Sequence, residues 1–350
     1  MGLSAAVARS SIRTDLRPLS AEHDVPAVQA LLAQALSFDT AAPVVCEKLF
    51  AGNGVRAGQA IGAFSNGELL GVLAQAGRWI KILAVHPQAR RRGVGTTLLQ
   101  TARAWLDQQP ATGNARPKLR CGDHPGNYLA PGIDARNDVG SAFLRASGFV
   151  EVGRNLNLKA PVQNNPVLRP EHIAEKQAAV QAHGYRVRRA TESDAPALLA
   201  MVTSAFHRVW AYEVARALGP GLGPGLSNEA ALHTPDLPEG SGVHIALATA
   251  GSGAGTGVDD GEIVAFAAHD GNNRGLGWFG PTGTLPAHRG KGIGEVLLLH
   301  CLHDVEKAHA AQPASRPDAG VIAWVGPVEY YARSCGAVPD RHFVVYEEAA

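Results

Sequence analysis

Two short stretches of this 350-residue chain combine residue types that point to a bound anion. Arg90-Arg91-Arg92-Gly93-Val94-Gly95 follows a strand-like run, Trp79 to Pro87, and leads into a helical pattern of Leu98, Leu99, Ala102 and Leu106. Arg289-Gly290-Lys291-Gly292-Ile293-Gly294 follows Trp278 to Pro286 and leads into Leu298, Leu302 and Val305. Strand, tight basic glycine turn and helix together make an anion cradle. The first N–H groups of a helix have no internal partner, and the helix dipole favours negative charge there. Glycines let a phosphate approach the backbone closely. Cations at a helix N-terminus cost about 0.3–1 kcal/mol each, so the run Arg90 to Arg92, and the pair Arg289 and Lys291, ask for a counter-anion. A dinucleotide fingerprint fails because Leu98 and Leu297 stand where its third glycine belongs, and Gly292 stands where a Walker loop needs Ser or Thr. A pyrophosphate cradle of another type remains.

The two stretches are copies. Pro87 and Pro286, Arg90 and Arg289, and Gly93 and Gly292 are each 199 residues apart, which reads as a tandem repeat. The flanks repeat as well. Strands are expected over Ser11–Leu19 and Tyr185–Thr191, each followed by a helix with Asp as its N-cap, Asp24–Leu36 and Asp194–Phe206. Short strands are expected at Lys118–Cys121 and Gly320–Val325. Each is followed by a helix, a glycine (Gly148, Gly336) and a terminal strand pair, Phe149–Leu158 and His342–Glu347. The polar, Pro-rich Pro161–Pro170 and a helix over Glu171–His183 divide the copies. The expected organisation is a tail (1–10), a first domain (11–160), a linker with a helix (161–184) and a second domain (185–350). The Gly/Pro runs Gly219–Gly225 and Gly251–Gly261 read as loops of the second domain.

Composition narrows the functional classes. Hydrophobic residues make up 45% and charged residues 18%, as in a chain with packed cores. With 32 basic and 31 acidic residues the net charge is +1, without the basic excess of a nucleic-acid binder. The 40 glycines and 22 prolines follow no collagen-like period. Cys46, Cys121, Cys301 and Cys335 form no paired motif, so neither a disulfide framework nor a zinc site is expected. Cys121 and Cys335 read as buried thiols. No apolar run reaches the roughly 20 residues of a membrane span, the N-terminal apolar stretch is short for a signal peptide, and Ala6 stands where myristoylation wants Ser or Thr. A cytoplasmic protein is expected, with no membrane and no nucleic acid among its partners.

Strand, proline, Arg-x-x-Gly-x-Gly, long helix, strand, then a helix ending at glycine resembles the GNAT superfamily of N-acetyltransferases, and both halves carry it, as in its tandem members. Asn137 through Gly148-Phe149 resembles the family's Asn…Gly-Phe segment. The resemblance implies an α/β (α+β) fold of two tandem domains, each a mixed, mostly antiparallel splayed sheet flanked by helices. It also implies acetyl-CoA as co-substrate, an amine acceptor, no metal, and a monomer or homodimer. The pyrophosphate would lie on Arg90, Arg91, Arg92, Gly93, Val94, Gly95 and Thr96, with Asn137 nearby. In the second copy it would lie on Arg289, Gly290, Lys291, Gly292, Ile293, Gly294 and Glu295. Backbone groups of Leu83 and Val85, or Thr282 and Thr284, would pair with the pantetheine arm.

Acyl transfer to an amine needs a proton removed, an oxyanion stabilised and a thiolate protonated. In the family the acid is a Tyr four residues before the Gly-Phe glycine. The first half has Leu144 there. The second has Tyr331 five residues before Gly336, with Tyr330 beside it, although Ala337 replaces the Phe and Val325 or Gly326 the Asn. Tyr331 is therefore expected as the acid, Tyr330 as its substitute, and the second half as the seat of chemistry. The base is left open among Glu213, His244, His269 and a water chain. The loop Asp123 to Asp134 either lines a substrate cleft, through Tyr128 or Asp134, or bridges two elements. His300, His303 and Asp304 read as a solvated helix face before a metal site. A CoA-binding sensor without turnover is the alternative function.

Overall fold

In this computed structural model, residues 11–53, 57–109, 117–219, 242–249 and 261–349 are described. The tail 1–10 and most of the two Gly/Pro runs lie outside them. The first half runs β1 (Asp15–Pro18), α1 (Val25–Ala35), α2 (Val45–Phe50), β2 (Gln59–Ser65), β3 (Glu68–Ala76), β4 (Trp79–Val85), α3 (Val94–Asp107), β5 (Arg120–Cys121), β6 (Ile133–Asp134), α4 (Asp138–Ala146) and β7 (Phe149–Pro161). A helix, α5 (Pro170–Ala182), leads into the second half. There follow β8 (Tyr185–Arg189), α6 (Ala195–Ala205), α7 (Arg208–Leu218), β9 (Val243–Thr249), β10 (Gly261–His269), β11 (Trp278–Thr284), α8 (Ile293–Ala311), β12 (Ala319–Ile322), α9 (Val328–Cys335) and β13 (Val338–Glu348).

The sheet is continuous through both halves, in the order β1-β2-β3-β4-β5-β13-β7-β12-β11-β10-β9-β8. The expected terminal strand pairs are corrected here: each half ends in one long strand, and the two strands change places. β13 pairs antiparallel with β5, Tyr346 opposite Cys121, while β7 pairs antiparallel with β12, Leu158 opposite Ile322. The two exchanged strands also pair with each other, from Glu348 opposite Phe149 to Val338 opposite Lys159. Val344 and Tyr346 are thus buried in the first half's core with Leu98, Leu99 and Leu144. Leu158 and Ala160 join the second half's core with Leu298, Leu302 and Tyr331. Ion pairs hold β13 in place, Glu347 to Arg78 at 2.5 Å and Glu348 to Arg103 at 2.7 Å.

The expected Asp caps are also corrected. The Asp24 carboxylate makes no cap bond to α1. It accepts from both ends of the Arg17 guanidinium at 2.8 Å and from the Ser20 N–H at 2.8 Å. Asp194 does the same with Arg188 and the Thr191 N–H. In both halves the aspartate ties the first strand to the first helix.

Candidate active site

The anion loops adopt the conformation that the glycines allow. Gly93 (φ +90°) and Gly292 (φ +77°) are left-handed N-caps of α3 and α8, and neither helix start carries a side-chain cap. Arg91 and Gly290, which correspond in the repeat, are also left-handed at +59° and +76°. The first arginine of each motif turns inward. Arg90 Nε donates to the Val85 carbonyl at 3.3 Å and its Nη2 to Ala35 O at 3.2 Å. Arg289 Nε donates to Thr284 O at 3.0 Å. Both brace the end of the preceding strand.

Those strands are splayed. β4 is parallel to β5 only at Trp79–Arg120 and Ile80–Cys121. Lys81 is the extra residue of a bulge, since Gln75 faces Ile80 and Ala74 faces Ile82. Beyond it, His86 N–H donates to Leu70 O on β3, so by strand alternation the N–H groups of Leu83 and Val85 point away from β3, into the gap. The second half repeats this. β11 meets β12 only at Trp278–Val321 and Phe279–Ile322, and Leu285 N–H donates to Val264 O, leaving Thr282 and Thr284 toward the gap.

In the first half the gap opens into a cavity of about 680 Å³. It joins the loop side, with Arg91, Gly93, Gly95, Thr96 and Phe143, to the side of the α1 end, with Leu36, Asp39, Leu129 and Asp134. Asn137 lines it while capping α4 through the Gly140 N–H at 2.9 Å. Of the expected residues, Leu83, Val85, Arg90, Arg91, Gly93, Gly95, Thr96 and Asn137 come together here, with Val94 buried behind them in the core.

Tyr331 and Tyr330 lie on α9. Tyr331 is buried, its ring edge-on to Phe279 of β11 and to Tyr330, and burial pushes its hydroxyl up to about 12. The Tyr330 hydroxyl lies beside the Gly294 Cα, where Phe143 lies beside Gly95 in the first half. Phe143-Leu144 therefore corresponds to Tyr330-Tyr331. The one-residue offset is taken up at the helix ends, because Gly336 follows α9 directly and Gly148 stands one residue beyond Ser147.

The open candidates for a base scatter. His244 and His269 both contact Asp304 of α8, at 2.7 and 3.3 Å, deep in the second half, and Arg189 pairs with Asp304 at 2.5 Å. The expected solvated face is thus partly buried, because His244, His269 and Arg189 gather around Asp304. Two carboxylates, Asp270 and Asp304, outweigh burial and raise His269 to about 9. Glu213 is buried at the seam between the halves, where Lys48 bonds Glu47, Asn127 and Asn272 and Arg216 meets Glu47 at 2.8 Å. Burial raises Glu213 to about 7, with Lys48 and Arg216 opposing the shift. The Asp123–Asp134 loop touches both the other half and the cavity. The Tyr128 carbonyl bridges the halves by accepting from Asn272 and Asn273, and Leu129, Ala130, Gly132, Ile133 and Asp134 line the cavity. Asp39 and Lys81, which also line the cavity, carry no sequence motif.

The acetyltransferase (GNAT) family model matches residues 28–119 and 232–315, together just over half of the chain. The chain belongs to the GNAT acetyltransferase family. GNAT structures resemble it over nearly its full length. A tandem GNAT protein from the clavulanic acid biosynthesis pathway aligns at 17% identity over 96% of this chain and 98% of its own, with a TM-score of 0.61. A GCN5-related N-acetyltransferase from Sphaerobacter thermophilus aligns at 19% identity, 97% and 96% coverage, and a TM-score of 0.58. The glucosamine N-acetyltransferase region of a fungal multi-domain β-N-acetylglucosaminidase gives a TM-score of 0.67 at 16% identity, and there the chain spans 97% of itself but 38% of the larger protein. These likenesses are of fold. No curated protein matches the sequence. Among the described residues no helix is long and apolar enough to cross a membrane.

Proposed function

We propose that this GNAT protein transfers an acyl group, acetyl by preference, from an acyl-CoA to a primary amine, and that the donor occupies the first half. The observation that carries this reading is the single cavity joining the uncapped start of α3 to the free edge of β4. The pyrophosphate would rest on the N–H groups of Gly93 to Thr96, with Arg91 beside it. The pantetheine would pair along Leu83 and Val85, Val85 through its N–H because Arg90 holds its carbonyl. The bound ammonium first gives a proton to water. The freed lone pair attacks the thioester carbon while a backbone N–H at the bulged edge donates to the oxyanion. The C–S bond breaks, and the proton released from the nitrogen passes through water to the thiolate. The amine approaches from the α1 side of the gap.

The second half supports a second reading through Tyr331, whose ring packs on Phe279 at the β11 splay. There Tyr331 would protonate the leaving thiolate. Titration with acetyl-CoA, followed by thiol release on an amine panel, tests both readings. One binding site and turnover that Tyr331→Phe changes less than threefold support the first half. A tenfold or greater loss moves the chemistry to the second. Binding without thiol release on any amine favours the sensor.

A further inference from the structure

At the α1 side of the cavity two lining carboxylates, Asp39 and Asp134, are tied together by a guanidinium from the other half. Arg341, on the exchanged strand β13, donates from Nη2 to Asp39 Oδ1 at 2.6 Å and from Nε to Asp134 Oδ2 at 2.8 Å. Asp134 is fully engaged, since Arg136 holds both of its oxygens and the Arg136 N–H adds a third contact. Asp39 is not: among the described residues Arg341 is its hydrogen-bond partner, through one oxygen. Arg136 is largely exposed, with its guanidinium 4.5 Å over the Phe38 ring, so water screens its charge. Of the charged residues lining this end, Asp39 and Asp134 are carboxylates, while the nearby cations are engaged by backbone carbonyls, Lys81 with Ala51 O and Arg90 with Val85 O and Ala35 O. Leu36, Leu129, Ala130 and Ile133 line the same end of the cavity.

We propose that this end is the acceptor subsite, that Asp39 receives the ammonium group of a monocationic amine with an apolar or aromatic body, and that Arg341 of the second half completes it. The inference rests on the acyltransfer reading for the first half and deepens it. Burial, with the neighbouring Asp134, raises the Asp39 carboxyl, and Arg341 opposes that shift and aims the carboxylate. The apolar wall accommodates the body of the amine. The exchanged strand thereby makes the acceptor site of one half depend on the other. Asp39 and Arg341 act here as a binding and a positioning residue.

Direct binding of tyramine to the full chain, measured by calorimetry without any cofactor, tests this. Wild type binds tyramine, Asp39→Asn weakens it at least tenfold, and Arg341→Met weakens it at least fivefold, while Arg341→Lys restores most of the affinity. Melting temperature and acetyl-CoA titration accompany each variant, and Asp39→Ala serves if Asp39→Asn does not fold. Equal tyramine affinity in wild type and in the folded Asp39 variant, or no tyramine binding by wild type, overturns the subsite. Unchanged affinity in Arg341→Met overturns the second half's part in it. Failure of acetyl-CoA to bind overturns the acyltransfer reading instead, and the tyramine arm reports independently of it.

Discussion

At the start of α3 the first turn carries Thr96, exposed, with Arg91 beside it and no ion-pair partner for Arg91 among the described residues. At the start of α8 the corresponding position is Glu295, paired with Lys176 of α5 at 3.1 Å, while Lys291 is drawn to the Tyr185 hydroxyl at 2.6 Å. The two loops share their backbone, down to left-handed residues at matching positions. They differ in what satisfies the helix dipole. In the second half a carboxylate of the chain supplies the negative charge, and the basic side chain is tied up. In the first half the first turn of α3 carries no acidic residue, which on the proposed reading leaves that charge to the ligand. A repeated motif thus defines a backbone shape twice, and the side chains around it decide which copy still needs an anion.

The largest expected effect tests whether these halves exist apart at all. Residues 11–184 produced alone lack β13, leaving β5 and β7 with open edges and the first core without Val344 and Tyr346. We expect no cooperative thermal transition from that fragment, and its mixing with residues 185–350 should restore one. A fragment that melts cooperatively alone would break the picture of interdependent halves.

The seam between them gives the next effect. Glu213, raised to about 7 from 4.5, keeps a proton in the native state that the unfolded chain gives up, so stability falls as pH rises across that window. At about 1.4 kcal/mol per unit, the shift corresponds to about 3 kcal/mol, present below pH 4.5 and lost above 7. Denaturant titrations of wild type and Glu213→Gln should therefore diverge in favour of the variant between pH 5 and 8. Parallel curves would place Glu213 outside the seam's charge balance.

The smallest effect sharpens the contrast between the loops. Thr96→Glu imports the second half's carboxylate and should weaken acetyl-CoA about tenfold, from about 1–2 kcal/mol of like-charge repulsion. Glu295→Thr should leave that affinity within twofold. The reverse pattern would assign the donor to the second half.

Much of this was legible before any coordinates. The loops, the helices after them and the 199-residue register rest on local chemistry, where glycine dihedrals and apolar spacing act within a few residues. Asp24 and Asp194 were visible as residues at helix starts, but their bonds to Arg17 and Arg188 were not, because cap and ion pair compete for one carboxylate. His244, His269 and Asp304 are dispersed in sequence, so their cluster left no spacing to read.

The sequence by itself determined that the chain is a doubled unit with two anion-shaped turns. Only the tertiary structure decided that the terminal strands change places, that the described cavity lies in the first half, and that Arg341 reaches Asp39 across 302 positions. The reason is physical. β7 and β13 each end one half of the repeat and lie side by side, so which sheet each closes depends on how the connected halves pack. Side-chain pairs across such a distance are a property of that packing.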